Sequence, residues 1–166
     1  LYVGSKMNCE EAYIMGRFFG DGWYEERGIA IATKSRYEAE TLARLIERVY
    51  GKAPRLKLRR YRDGHCVWWI RLWNVKVAKF YSSVFRCDKK KSLTAKPPLA
   101  LLRSNDESEI CFVIGVPDAE AWVYLWKGRL RISAELYNKE IALYLRDILL
   151  KHGIKCSLSL NKDGAY

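Results

Sequence analysis

Two carboxylates in this chain stand at matched places in a repeated segment. Tyr13-Ile14-Met15-Gly16-Arg17-Phe18-Phe19-Gly20-Asp21-Gly22 returns in altered form as Phe112-Val113-Ile114-Gly115-Val116-Pro117-Asp118-Ala119-Glu120-Ala121. In each copy two small residues lie four apart, Gly16 and Gly20, then Gly115 and Ala119, and an acid follows the second at once: Asp21, then Glu120. Gly16 and Gly115 are separated by 99 residues, and so are Asp21 and Glu120. Small residues at i and i+4 share one helix face, so two such helices can approach without side chains between them. Packed in that way, they would present Asp21 and Glu120 side by side at helix C-termini. Two carboxylates there repel each other and meet the negative ends of two helix dipoles. A hard divalent cation, best of all Mg²⁺, is the natural partner of such a pair. Either segment alone reads as a core helix ending in a surface acid; the matched repeat turns the reading toward a metal site.

The elements that must position these acids follow from periodicity. From about Cys9, Ala12, Met15, Phe18 and Phe19 fall on one helix side, with Glu10, Glu11 and Arg17 mostly on the other, and Asp21-Gly22 stops the helix. Trp23 to Lys34 reads as a hairpin turning at Glu25 to Gly28, and Arg36 to Tyr50 as an amphipathic helix between a Ser35 cap and Gly51. Arg55, Lys57 and Arg59 alternate with Leu56 and Leu58; Asp63-Gly64 turns the chain; Cys66 to Trp73 returns with Val67, Trp69 and Arg71 on one face. Asn74 caps a helix to about Phe85. Residues 87–106, with Asp88-Lys89-Lys90-Lys91 and Pro97-Pro98, read as a linker between a first repeat (1–86) and a second, shortened one (107–166). The second half repeats the order: motif helix to Glu120, hairpin Trp122 to Ala134 turning at Lys127-Gly128, helix Asn138 to His152, then a strand Ile154 to Leu160. By analogy with the first half a strand and a helix would follow. Pro117 predicts a kink or early end in the second motif helix, and Ala121 replaces a glycine that would relax the turn after the acid.

Composition points the same way. The chain has 166 residues, 49% of them hydrophobic, enough for one compact core or two small ones. With 30 Lys+Arg against 19 Asp+Glu, its formal net charge of +11 favours a polyanionic partner. Alternating Arg55, Lys57, Arg59, Trp69 and Arg71 in one half, and Arg129, Arg131, Lys155, Ser157 and Ser159 in the other, would line a charged saddle able to reach base edges and phosphates of duplex DNA. The five cysteines form no C-x-x-C pair and only His65 and His152 accompany them, which argues against a zinc site. Reduced thiols in a cytoplasmic chain are the expectation, with no membrane partner, since no signal peptide or apolar run of spanning length is seen.

Ile14 to Gly22 resembles the nine-residue signature of the LAGLIDADG homing endonuclease family, with Gly16, Asp21 and Gly22 at its fixed positions. Val113 to Ala121 is a looser match that keeps Gly115, Asp118, Ala119 and the acid Glu120. The resemblance implies the single-chain, two-motif, intron-encoded type. Its fold would be α+β, with two pseudo-symmetric αββαββα repeats, antiparallel sheets forming a DNA-binding saddle and the motif helices packed at the centre. It implies a monomeric, sequence-specific endonuclease that makes a double-strand break by phosphodiester hydrolysis. Asp21 and Glu120 would be its catalytic acids and Mg²⁺ ligands, with Mn²⁺ or Ca²⁺ able to substitute for binding. The carbonyls of Gly20 and Ala119 would add ligands. Lys34 and Lys139 are the candidates for a basic group beside each acid, and Lys34 also for a DNA contact. Two other readings use the same scaffold: an RNA-splicing maturase that binds intron RNA, and a non-catalytic DNA-binding regulator.

Overall fold

The computed structural model describes residues 7–87, 95–102 and 105–161, apart from the Glu120 side chain. The charge run Asp88 to Lys91 lies outside them. Helix α1 (Cys9–Asp21) starts at Asn8, whose side chain accepts the Glu11 N–H. The chain then turns through β1 (Gly22–Glu25) and β2 (Gly28–Thr33) into α2 (Arg36–Tyr50). Ser35 caps α2 by accepting from the Glu38 N–H, and Gly51 closes it at φ 64°. Strands β3 (Arg55–Arg60) and β4 (Cys66–Leu72) follow, then α3 (Val75–Phe85), capped by Asn74. A single helical turn, α4 (Leu99–Leu102), precedes the second motif helix α5 (Asp106–Glu120), hairpin strands β5 (Ala121–Trp126) and β6 (Arg129–Ala134), and α6 (Lys139–Lys151). The fold is α+β, with a four-stranded antiparallel sheet ordered β1-β2-β4-β3 and a two-stranded one, β5-β6.

The inner face of the larger sheet carries Ile29, Ile31, Ile70 and Leu72, all buried. Phe18 of α1 stacks edge-on against Tyr81 of α3 at 4.8 Å, and Phe85 joins the core of the first half to Phe112 of α5 at 6.5 Å. Helix α1 is therefore covered on nearly every side. That overturns one sequence expectation: Arg17 and Glu11 are not on an outer face but are 3% and 6% exposed. Among the described residues between the halves, two are tied to their neighbours: the Lys96 N–H donates to the Phe85 carbonyl and Asn138 Nδ2 donates to the Ala95 carbonyl.

Three further expectations change. First, Ile154 to Leu160 forms no strand, although Lys155, Ser157 and Ser159 are exposed and Cys156 and Leu158 half-buried. In the first half β3 joins its sheet only through β4, and among the described residues no strand pairs with 154–160. The face of β5–β6 that carries Val123, Leu125, Leu130 and Ile132 is open, with these residues 61–73% exposed. Second, Cys9 and Cys111 are not reduced thiols. They form a disulfide across α1 and α5, with Cα atoms 5.3 Å apart; Cys66, Cys87 and Cys156 form no disulfide. Third, α5 does not end early at Pro117 but runs on to Glu120. Ala121 adopts φ −103° and Gly22 φ −99°, extended backbone open to any residue, so the turn after the acid needs no glycine for its conformation.

Candidate functional site

The site is built on the crossing of α1 and α5. The helices run in the same direction, with Met7 beside Ser108 at one end and Arg17 beside Asp118 at the other. At the crossing, backbone meets backbone. A Cβ added to Gly16 would sit 2.4 Å from the Phe112 carbonyl oxygen and 3.0 Å from the Val116 nitrogen. One added to Gly115 would sit 2.4 Å from the Tyr13 oxygen and 3.0 Å from the Arg17 nitrogen. Those contacts are each other's images under the 99-residue offset, so the crossing has a local two-fold relation. Only glycine permits such an approach.

Both helices end one turn beyond, at Asp21 and Glu120. A cavity of about 810 Å³ opens there, lined by Asp21, Arg17 and Lys34 from the first half and by Asp118, Ala119 and Ala121 from the second. Trp69 and Val67 of β4, with Tyr61 just past β3, form another wall. The backbone of Glu120 closes the last turn of α5, and its side chain lies outside the described residues.

Hard oxygen donors are what this end of the helix pair offers: the Asp21 carboxylate, and carbonyls that point out along helix axes at the negative dipole ends. Among the described residues no three His, Cys, Asp or Glu side chains converge as a metal cage. Mg²⁺ does not need one, since it is held by one or two carboxylates, its own waters and substrate phosphates. The Asp21 carboxylate suits such an ion in its chemistry, with the Gly20 and Ala119 carbonyls as further groups that would hold it.

Lys34 lines the cavity, just past the end of β2. Lys139 does not. It is exposed in the first turn of α6, and the shared cap register, Ser35 accepting from Glu38 and Asn138 from Ile141, aligns it with Arg36; Tyr137 takes the place of Lys34. The second hairpin carries six cross-strand pairs against four in the first, so the offset between the halves grows from 99 to 103 before α6.

The outer face of the larger sheet gathers the predicted contact residues in rows. Arg55 pairs with Arg71, Lys57 with Trp69, and Arg59 with Val67. The Arg59 guanidinium lies 4.8 Å over Trp69, which packs edge-on to Trp23 at 5.1 Å. Arg71 Nε donates to Glu25 at 2.7 Å, and Trp73 Nε1 donates to the same carboxylate at 3.1 Å. In the small sheet Arg131 pairs with Tyr124 and Arg129 with Trp126, again on one face. Lys155, Ser157 and Ser159 are exposed on the irregular segment beyond.

Sequence reasoning missed a polar network between the helices. Tyr13 donates its hydroxyl to Asp118 Oδ2 at 2.8 Å, and Arg17 Nη1 donates to the Asp118 carbonyl. Glu38 stands 4.0 Å from Arg17 Nη2 and accepts from Thr33 Oγ1. Burial first, then the bond to Asp118, pushes the Tyr13 phenol up to about 12, so it remains a donor at ordinary pH. The signal was an arginine inside an otherwise apolar motif, one helical turn after a tyrosine.

No family pattern and no curated protein matches the chain in sequence. Solved structures do match in shape. A variant of I-DmoI in complex with its target DNA and Mn superposes with a TM-score of 0.62 at 17% identity, covering 95% of this chain and 84% of that one. I-DmoI in complex with DNA and Mn gives 0.61 at 18%, covering 95% and 86%. The homing endonuclease I-WcaI, bound to its DNA recognition sequence, gives 0.59 at 16%, covering 98% and 76%. The fold is that of the single-chain LAGLIDADG homing endonucleases.

Proposed function

We propose that this chain is a sequence-specific DNA endonuclease that makes a metal-dependent double-strand break in a long duplex target, acting as a monomer. The observation that carries the reading is the glycine-on-glycine crossing, which delivers Asp21 and the end of α5 to one cavity beside a basic, aromatic sheet face. That homing endonucleases of the same shape were solved with target DNA and with Mn, Mg or Ca supports it.

In this reading Asp21 and Glu120 are the catalytic acids and orient the hydrolytic centre. A bound Mg²⁺ would supply an activated water and stabilise charge on the leaving oxygen. Lys34 places a positive charge at the cavity, where negative charge grows on the scissile phosphate. Arg55, Lys57, Arg59, Trp69 and Arg71, with Arg129, Arg131, Lys155, Ser157 and Ser159 opposite, hold phosphates and reach base edges in the groove. Glu25 and Trp73 fix the Arg71 guanidinium, which suits it to a directed contact rather than a diffuse one.

The test is cleavage of a randomised duplex library in Mg²⁺, run beside Asp21→Asn and Glu120→Gln. Each substitution is expected to slow cutting by about 10²-fold or more, while duplex binding in Ca²⁺ survives. Full activity in either variant removes these acids from the mechanism. Binding of structured RNA in preference to duplex DNA would replace the nuclease reading with the maturase one.

A further inference from the structure

The two motif helices meet symmetrically at their glycines but not one turn later. Pro117 occupies the place of Phe18 and has no N–H, so the Val113 carbonyl loses the helical partner that the Ile14 carbonyl keeps in α1. The very next residue, Asp118, is gripped from α1 at two points. The Tyr13 hydroxyl holds its carboxylate and Arg17 Nη1 holds its main-chain oxygen. Tyr13 and Arg17 are four apart, on one face of α1. Their counterparts under the 99-residue offset are Phe112 and Val116, and that of Asp118 is Phe19, so the reverse half cannot make these bonds.

Arg17 stands at the cavity wall but is almost wholly enclosed. Its side chain is 4% exposed and its Nε is buried without a hydrogen-bond partner. Burying a guanidinium is unfavourable unless it is compensated, and what compensates this one is the Asp118 carbonyl with Glu38 beside it. The Arg17 charge also lies at the C-terminal, negative end of α5, where a cation is stabilising.

We infer that Tyr13 and Arg17 form a one-sided clasp that holds the last turn of α5 in place beyond Pro117, and that they act as positioning residues for the Glu120 end of the site alone. The inference rests on the nuclease reading for its functional meaning but not for its primary test. That test is amide hydrogen exchange in the metal-free, DNA-free protein. In the Tyr13→Phe/Arg17→Met double variant, exchange at Ala119 to Ala121 should rise about tenfold or more, while amides earlier in α5 change less than about twofold. Adding Pro117→Ala, which restores the helical N–H, should suppress most of that rise. Unchanged exchange, a uniform rise along α5, or a rise that Pro117→Ala does not suppress overturns the clasp. The second arm is cleavage, with Arg17→Met expected to slow cutting about tenfold or more at unchanged duplex affinity in Ca²⁺, and Arg17→Lys to recover a large part. Arg17→Met cutting at the wild-type rate, or Arg17→Lys recovering nothing, overturns the positioning role. If the wild-type protein cuts no duplex at all, the nuclease reading fails, and the exchange result still decides whether the clasp exists.

Discussion

Gly16→Ala is the sharpest single test of the helix crossing. The new methyl would lie 2.4 Å from the Phe112 carbonyl oxygen and 2.9 Å from the Gly115 Cα, where ordinary contact begins at 3.4 Å. Both neighbours are backbone atoms of α5, which no rotamer change can move aside, so the helices must part by about 1 Å. Two effects then oppose each other. Alanine is the better helix former by about 1 kcal/mol, while overpacking of this kind costs about 1–3 kcal/mol, here at the upper end because nothing flexible gives way. The net loss of about 1–2 kcal/mol corresponds to a fall in Tm of about 2–8 °C for a chain of this size. The catalytic loss should be far larger, because about 1 Å of misplacement between reacting groups can slow a reaction about 10²-fold. Gly51→Ala is the control. Gly51 has φ 64° and nothing within 4 Å of an added methyl, so the substitution should cost about 1 kcal/mol for backbone conformation and leave cutting intact. Melting curves and duplex cleavage in Mg²⁺, measured on both variants, separate stability from geometry. A Gly16→Ala protein that melts and cuts like the wild type refutes the close crossing.

The remaining predictions concern stability. The Cys9–Cys111 disulfide closes a sequence separation of 102 residues, so Cys9→Ser should remove about 2–4 kcal/mol and lower Tm by about 4–16 °C; alkylation of all five cysteines in unreduced native protein would refute the bridge. Glu11 is buried in the first turn of α1, and burial raises its carboxyl above the ordinary 4.5. The folded protein then binds more protons than the unfolded chain between the two pKa values, so the Glu11 contribution is fully present below the unfolded value and is lost as pH rises through the folded one. Glu11→Gln should therefore raise Tm at neutral pH and give no gain near pH ~4; an equal gain at both pH values would show that charge burial is not the cause.

What the sequence made legible was whatever local chemistry decides. Ser35 and Asn74 cap their helices as read, because a side-chain oxygen near orphan N–H groups needs no tertiary context; Asn138, read as the first residue of its helix, caps it too. Lys127-Gly128 turns its hairpin with both residues at positive φ, and β4 alternates as its residue types require. What stayed hidden depends on the crossing. Arg17 and Glu11 look like surface residues until α1 is known to be enclosed by α5 on one side and a sheet on the other. Cys9 and Cys111 stand 102 apart rather than 99, so the repeat does not pair them; two helices meeting at Gly16 and Gly115 do. The absence of a strand at 154–160 is a property of pairing, which no alternation pattern can supply.

The distribution of symmetry in this molecule has a physical cause. Where backbone touches backbone, at Gly16 and Gly115, the closest contacts of the two halves repeat at 2.4 and 3.0 Å, because any side chain at either place would separate the helices. One turn away that constraint is gone, and the halves diverge at once: Phe18 against Pro117, Arg17 against Val116, Phe19 against Asp118, Lys34 against Tyr137. The crossing therefore fixes where the two acids emerge, while the groups around each acid are free to differ. In the proposed nuclease a site built in this way would confront the two strands of a duplex with unlike surroundings, and the half that carries Pro117 inside its motif helix is the one with two side chains of its partner helix bound to the following residue.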